Sequence, residues 1–233
     1  NPLLVWFHGG GLETGDKGEE RQVTFAQRMG ANGVAVASAN YRLSPQATYP
    51  SYIEDAAQAV GWAVRNARNL GCNPSAIHVG GESAGGYLAA MLAMDSQYLA
   101  SAGVDEEQVA GFIPMSGQMM THFTVRKERG NWNGQAIDAD EAAPVHHIRA
   151  TTRPLLILVA DQDMPTRVEE TRYFFAALTQ IAENRRAQLH VIPDRDYCSI
   201  FERCLEPGDP AGGHILDFIR GSSSTAGGSP TPS

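Results

Sequence analysis

The sequence has few cysteines and no long hydrophobic run. Its 233 residues include three cysteines, Cys72, Cys198 and Cys204, and no Cys-x-x-Cys pair. A chain of this length does not need a disulfide framework, so we expect three reduced thiols, with a bridge between Cys198 and Cys204 left open. No apolar run approaches the roughly 20 residues that a membrane-spanning helix requires, so we predict no membrane span.

Positive charge is also scarce. The chain has 18 Lys and Arg residues against 26 Asp and Glu, a formal net charge of -8, and no basic run. Such a chain repels a polyanion, which makes nucleic acid an unsuitable partner. Small neutral or apolar molecules are the better candidates for a ligand.

No leader segment precedes the first apolar run, which begins at Leu3. We therefore expect that the natural N-terminus is missing and that any targeting signal is missing with it. A cytoplasmic location is favoured, and the sequence gives no indication of the oligomeric state.

Apolar runs alternate with helical patterns along the chain. A continuous run without polar alternation is typical of a strand buried on both faces of a parallel sheet. Between the runs, apolar residues recur at steps of three and four, which indicates helices. The alternation predicts an α/β fold with a mostly parallel sheet flanked by helices. The predicted strands are Leu3–Phe7, Val34–Ala37, Ile77–Val79, Phe112–Met115, Leu155–Ala160 and Leu189–Ile192.

Two segments depart from this alternation. Residues 118–149 are polar, contain Gly and Asn, and lie between two predicted strands, so we interpret them as a cap-like insertion. Residues 221–233 are rich in Gly, Ser and Pro and cannot bury enough apolar surface to offset the entropy of ordering. We therefore predict one domain over residues 1–220 and a disordered tail over 221–233.

A nucleophile motif follows the third predicted strand. Gly81-Glu82-Ser83-Ala84-Gly85 fits G-x-S-x-G, and a helical pattern comes directly after it. In this motif a strained strand-to-helix turn exposes the serine hydroxyl, and the flanking glycines let strand and helix approach closely. The context favours Ser83 as a nucleophile over a merely structural turn.

A second motif, His8-Gly9-Gly10-Gly11, follows the first predicted strand. Glycines in such a loop tolerate positive φ and leave backbone N–H groups open to a substrate carbonyl. We predict an oxyanion hole formed by the N–H groups of Gly10, Gly11 and Ala84, and an orienting role for His8.

With these motifs the chain resembles the esterase, lipase and arylformamidase branch of the α/β-hydrolase superfamily, often called hormone-sensitive-lipase-like or BD-FAE-like. Further matches are Asn40-Tyr41-Arg42-Leu43-Ser44-Pro45, Tyr49-Pro50 and Glu54-Asp55, and the resemblance extends from Leu3 to Arg220. It implies an α/β-hydrolase fold that lacks the family's first two strands. It also implies a serine carboxylic ester hydrolase that forms an acyl-enzyme on Ser83 and requires no cofactor.

The resemblance further implies a catalytic acid after the fifth predicted strand and a catalytic histidine after the sixth. Asp163 fits the acid position better than Asp161, which we expect to be structural. The loop Pro193-Asp194-Arg195-Asp196-Tyr197 resembles the family's histidine loop, but Tyr197 occupies the histidine position. A phenol, with a pKa of about 10, is almost wholly protonated at pH 7 and is a poor general base.

Three alternatives remain open. His122, or one of the pair His146 and His147, could reach Ser83 as a substitute base, although zinc binding by the pair is not expected. The chain could be a binding protein that kept the hydrolase pocket and lost turnover. Tyr197 could also be a chance or engineered substitution in an active enzyme. A dinucleotide-binding fold is excluded because no G-x-G-x-x-G follows a strand.

Overall fold

The computed structural model describes residues 1–131, 137–150 and 153–224, with side chains described as far as Gly221. Within these residues six strands form one sheet, and helices connect them. The strands are β1 (Leu3–Phe7), β2 (Ala35–Ala39), β3 (Ile77–Glu82), β4 (Gly111–Met115), β5 (Leu155–Gln162) and β6 (Ala187–Asp196). The helices are α1 (Glu20–Ala31), α2 (Ser51–Asn66), α3 (Ala84–Met94), α4 (Ser96–Ser101), α5 (Phe123–Glu128), α6 (Arg167–Gln180), α7 (Ser199–Glu202) and α8 (Pro210–Ser224).

The sheet is parallel at every described pairing, in the order β2-β1-β3-β4-β5-β6. This arrangement confirms the predicted α/β class and the flanked parallel sheet. Each of the six predicted strands is present. Parallel strands need crossover connections, and the helices between the strands supply them.

Helices cover both faces of the sheet, which explains why the strands are apolar without alternation. On one face Leu3, Val5 and Phe7 pack in a cluster with residues of α2, α3 and α6, such as Ile53 and Phe174. On the other face Leu4 and Trp6 pack with residues of α1, α7 and α8. Successive side chains of β1 thus enter opposite halves of the core.

The register of β1 and β3 places their carboxyl ends side by side, since Phe7 pairs with Gly81. The residues that follow these two strands are therefore neighbours at the carboxyl end of the sheet. They are the glycine-rich loop His8–Gly11 and the turn at Ser83, and open α/β sheets bind ligands at this end of their strands.

The last helix, α8, continues to Ser224, four residues beyond Arg220, where the sequence predicted the domain to end. The rest of the predicted tail, residues 225–233, lies outside the described residues. All three cysteines are free, including Cys198 and Cys204. Across the described ranges, none of the helices combines the length and the apolar character needed to span a bilayer.

We predict that Gly85→Ala strongly destabilises the fold. A Cβ at Gly85 would lie 2.0 Å from the carbonyl oxygen of Phe7, so strand β1 or helix α3 would have to shift. Overpacking of this kind costs typically 1–3 kcal/mol and sometimes more, and we expect a loss of at least about 3 kcal/mol in the free energy of unfolding. Equilibrium urea denaturation measures this loss.

Gly30→Ala is the matched control. Gly30 also lies in a helix, α1, but no atom lies within 4 Å of the position that its Cβ would take. An exposed helical Gly→Ala change should stabilise the protein by roughly 0.5–1 kcal/mol. Equal effects of the two changes would show that the contact with β1 is not what requires glycine at position 85.

Candidate active site

Ser83 occupies a sharp turn between β3 and α3. Its backbone is in an unusual conformation, with φ 56° and ψ -117°, and its N–H donates a 2.8 Å hydrogen bond to the Met115 carbonyl. A Cβ at Gly81 would lie 2.5 Å from the backbone of Gly85. The glycines of the motif therefore allow the close contact that the turn needs, and the turn has the geometry of a nucleophile elbow.

The loop after β1 requires glycine for two physical reasons. Gly10 and Gly11 have φ values of 112° and 64°, and a Cβ at Gly10 would lie 2.1 Å from the Thr14 carbonyl oxygen. The Gly11 carbonyl accepts a 2.5 Å hydrogen bond from the Thr124 hydroxyl. Among the described residues, no hydrogen bond from the N–H groups of Gly10, Gly11 and Ala84 to a protein acceptor is found. This lack of a protein partner agrees with the oxyanion-hole prediction, although Ala84 itself is fully buried.

His8 is part of the support of this loop. Its ring lies 4.5 Å, centroid to centroid, from the ring of Tyr41 and stacks on it, while the Tyr41 hydroxyl donates to the His8 carbonyl at 2.8 Å. The His8 Nδ1 lies 2.6 Å from the carbonyl oxygen of Gly9. These contacts suit the orienting role predicted for His8.

Tyr197 is the first residue after β6, and its side chain contacts the predicted nucleophile, Ser83. Its phenol oxygen and the Ser83 Oγ are hydrogen-bonded to one another. Burial raises the pKa of Tyr197 above its usual value, and the carboxylates of Glu82 and Asp163 raise it further, against the opposing influence of Ser83 and Arg167. The group at the expected base position is therefore a neutral phenol at physiological pH.

Asp163 and Asp161 differ clearly in their partners. Asp163 accepts hydrogen bonds from the Ser116 hydroxyl at 2.6 Å and from the N–H groups of Met164 and Ala160 at 2.8 and 3.2 Å. Asp161 accepts from the N–H groups of Asp194 and Arg195 at 3.1 and 3.0 Å. Asp161 thus anchors the strand that leads to Tyr197, a structural role, while Asp163 lies near enough to Tyr197 to influence its pKa.

Ser116 and Arg167 belong to the surroundings of Asp163, and the sequence motifs did not indicate them. Ser116 has a positive φ of 47° and is buried. The buried Arg167 guanidinium donates to the Ser116 carbonyl at 2.5 Å and pairs with Glu170 at 2.8 Å. Burial raises the pKa of Glu170 to about 7. Ser116 meets Asp163 and Arg167 across 47 and 51 positions of the chain, so no local pattern could reveal these contacts.

The histidines proposed as substitute bases have other partners. His122 is 2% exposed, precedes α5, and accepts the Thr124 N–H at its Nδ1. Burial, with help from Arg167 and Arg126, holds the pKa of His122 well below its usual value. His147 bonds through Nε2 to the Glu141 carbonyl at 2.8 Å.

None of His122, His146 and His147 hydrogen-bonds with Ser83 in the described structure. Over the same residues, no group of three or more His, Cys, Asp and Glu side chains is placed to hold a metal ion. The site that the structure assembles consists of Ser83, Tyr197 and the glycine loop, with Asp163 beside them.

Comparison with known proteins places this arrangement in context. The BD-FAE family model matches residues 1–178. Carboxylesterase NlhH of Mycobacterium tuberculosis is 41% identical over 92 residues, which are 40% of this chain and 28% of that protein. Esterase LipC of the same organism is 23% identical over 237 residues, covering 94% of this chain and 54% of LipC. The chain therefore spans roughly a quarter to a half of the length of these relatives.

Solved structures resemble the fold over nearly its whole length. A bacterial heroin esterase superposes with a TM-score of 0.75 at 24% identity, covering 95% of this chain and 74% of that one. The esterase Est2 of Thermogutta terrifontis gives 0.74 at 23% identity, with coverage of 99% and 86%. At these identities the likeness establishes an α/β-hydrolase fold.

We predict that any labelling of this protein by a fluorophosphonate probe occurs at Ser83 and nowhere else. Ser83 lies on a strained turn next to the glycine loop, a setting that the exposed Ser75 does not have. Labelling followed by peptide mass spectrometry locates the modified residue. Ser83→Ala should abolish labelling, whereas Ser75→Ala, a change at an exposed serine, should leave it unaltered. Labelling that survives Ser83→Ala contradicts the assignment.

Proposed function

The chain belongs to the BD-FAE family, and on that basis we propose that it is a serine carboxylic ester hydrolase acting on small ester or amide-like molecules. The observation that carries this proposal is the position of Ser83 on a strained elbow directly before Ala84, at the end of the sheet that also carries the glycine loop. The esterase names of its relatives agree with this reaction, although the chain covers only part of those proteins.

In the proposed reaction the Ser83 Oγ attacks the substrate carbonyl carbon. The carbonyl oxygen becomes an oxyanion, to which the N–H groups of Gly10, Gly11 and Ala84 donate hydrogen bonds. The C–O bond to the alcohol breaks, the alcohol leaves with a proton, and an acyl group remains on Ser83. Water then attacks the acyl carbonyl, releases the carboxylic acid and restores the Ser83 hydroxyl.

Tyr197 limits the first of these steps. The Ser83 proton must leave as Oγ attacks, and a neutral phenol does not accept it at pH 7. In a serine protease, loss of the histidine lowers kcat by about 2 × 10⁶, while the oxyanion hole and binding retain roughly 10³ to 10⁴ over water. We infer a comparable, slow turnover for this chain.

We propose that residues 118–149 form a cap beside the site, with Trp132–Ala136 lying outside the described residues. Helix α5 of this segment contacts the glycine loop and the residues just after it. Thr124 binds the Gly11 carbonyl, Lys127 pairs with Glu13 at 2.7 Å, and the Phe123 ring lies 3.0 Å from where a Gly11 Cβ would stand. Such a cap restricts the size of the substrate group that can bind next to Gly11.

A binding protein that retains the hydrolase pocket is the second candidate. The observation that favours it is the hydrogen bond between Ser83 and Tyr197, since it occupies the nucleophile with a group that does not activate it. The two candidates differ in whether a base at position 197 creates turnover.

We predict that Tyr197→His raises hydrolysis of p-nitrophenyl acetate at about pH 7.5 by at least about 10²-fold. An imidazole at this position would take the Ser83 proton, and a positioned base contributes about 10² to 10⁴. The initial rate of p-nitrophenol release measures the effect. Tyr197→Phe, which also removes the phenol but adds no base, is the control and should show no such gain.

The outcomes separate the candidates. If the native protein already turns over rapidly and Tyr197→His changes little, another group such as His122 is the base. If both forms are inert while a substrate analogue still binds, the binding protein is the correct interpretation. The double variant Ser83→Ala/Tyr197→His must lose the gained activity, because that activity depends on Ser83.

The two forms should also differ in their pH–rate profiles. Because burial and two carboxylates raise the pKa of Tyr197, its phenol stays protonated from about pH 5 to 9 and should add no step to the native profile in that range. The buried Glu170, whose pKa is raised to about 7, is a neighbouring group that titrates there. In Tyr197→His, kcat/KM should rise with pH through one titration as the imidazolium, of ordinary pKa about 6.5, loses its proton. A step near pH 7 in the native profile that persists in Glu170→Gln would contradict the role of Tyr197.

A further inference from the structure

Glu82 lies between the two parts of the proposed site. It is the last residue of β3, immediately before Ser83, and only 6% of its surface is exposed. Its carboxylate Oε1 accepts a 2.8 Å hydrogen bond from the N–H of Gly9. Gly9 precedes Gly10 and Gly11, so this bond joins the nucleophile strand to the loop that carries the oxyanion donors.

The same carboxylate is also held from helix α1. The Arg21 guanidinium lies 3.2 Å from Oε1, and the Gln22 side-chain amide donates to it at 3.2 Å. Burial raises the pKa of Glu82, whereas Arg21 and the hydrogen bonds from Gly9 and Gln22 favour its ionised form. A buried carboxylate with two hydrogen-bond donors and one ion-pair partner has little freedom to move, which makes it a rigid anchor.

The space around Gly9 shows how closely the loop fits this carboxylate. A Cβ at Gly9 would lie 2.6 Å from both carboxylate oxygens of Glu82. The loop beyond it consists of glycines with positive φ, a conformation that Gly adopts but does not enforce. The contact with Glu82 therefore supplies a constraint that the loop's own residues do not.

We propose that Glu82 is a positioning residue of the oxyanion hole, which fixes Gly9 and thereby the N–H groups of Gly10 and Gly11 relative to Ser83. This inference rests on the proposed hydrolase function. Oxyanion donors act because they are held in place before the charge develops. Misplacement by about 1 Å can cost around 10²-fold in rate, so a loosened loop should lower kcat.

The test uses Tyr197→His as the parent, with p-nitrophenyl acetate as substrate. Glu82→Leu removes the acceptor at similar volume and should lower kcat by about 10- to 10²-fold while KM stays within about threefold. Glu82→Gln keeps an oxygen that can accept the Gly9 N–H, so it should retain kcat within about fivefold. A purely structural role would lower the melting temperature without this split between kcat and KM.

Gly9→Ala tests the same contact from the other side. Its methyl group would displace the carboxylate, so kcat should fall as in Glu82→Leu. The double variant Gly9→Ala/Glu82→Leu should be no worse than the more damaged single variant, because both changes remove one contact. Glu106→Gln, which breaks a 2.7 Å ion pair with Arg149 at the amino end of the sheet, is the control and should leave kcat within about twofold.

A kcat within about twofold of the parent in folded Glu82→Leu, or additive losses in the double variant, would overturn the inference. If Glu82→Leu does not fold, Glu82→Asp replaces it, because the shorter side chain cannot reach Gly9 from the same backbone. A parent without turnover that still labels at Ser83 contradicts the hydrolase function alone. In that case the fluorophosphonate labelling rates of the same variants, relative to the parent, test the positioning role of Glu82. Absence of labelling in the parent would overturn both the hydrolase function and the role of Glu82.

Discussion

Helix α3 begins so close to the carboxyl end of β1 that no side chain fits between them. A Cβ at Gly85 would lie 2.0 Å from the Phe7 carbonyl oxygen, and one at Gly81 would lie 2.7 Å from the same atom. Because both positions are glycine, β3 can turn directly into α3 while remaining paired with β1. This close crossing places the loop after β1 beside Ser83. Ser83 itself adopts a backbone conformation that costs of order 1–3 kcal/mol and persists because the packing around it allows no other.

Carboxylates at the ends of the strands hold the loops of the site. Glu82 binds the N–H of Gly9, Asp163 binds those of Ala160 and Met164, and Asp161 binds those of Asp194 and Arg195. Each bond is charge-assisted and therefore stronger than a bond between neutral groups. Of the three, Glu82 and Asp163 also act on Tyr197. Their charges oppose ionisation of its phenol and add to the effect of burial in raising its pKa, against the opposing influence of Arg167.

The sequence predicts the strands well because burial on both faces leaves an uninterrupted apolar run. It predicts their ends less well. Strand β6 continues to Asp196, four residues past Ile192, across an irregularity opposite β5 between Ala160 and Gln162. These added residues are mostly polar and are held by pairing and by Asp161, so hydropathy does not identify them.

Some residues of the candidate site can be predicted from the sequence, and others cannot. Ser83, Gly10 and Gly11 stand in motifs whose residue types follow from local backbone conformation, so spacing alone identifies them. Ser116 and Arg167 acquire their contacts only when the ends of β4 and β5 come together. The link between Glu82 and Gly9 spans 73 positions of the chain and likewise exists only in the folded protein.

A tyrosine side chain carries its polar atom farther from the backbone than a histidine does, and the phenol oxygen of Tyr197 hydrogen-bonds directly with Ser83. Tyrosine at this position therefore gives Ser83 a hydrogen-bond partner but supplies no general base at pH 7. The open N–H groups of the glycine loop are useful chiefly where an oxyanion forms, because only interactions that are stronger in the transition state than in the ground state accelerate a reaction. The framework thus suits the proposed ester hydrolysis, and the component it lacks is a proton acceptor at position 197.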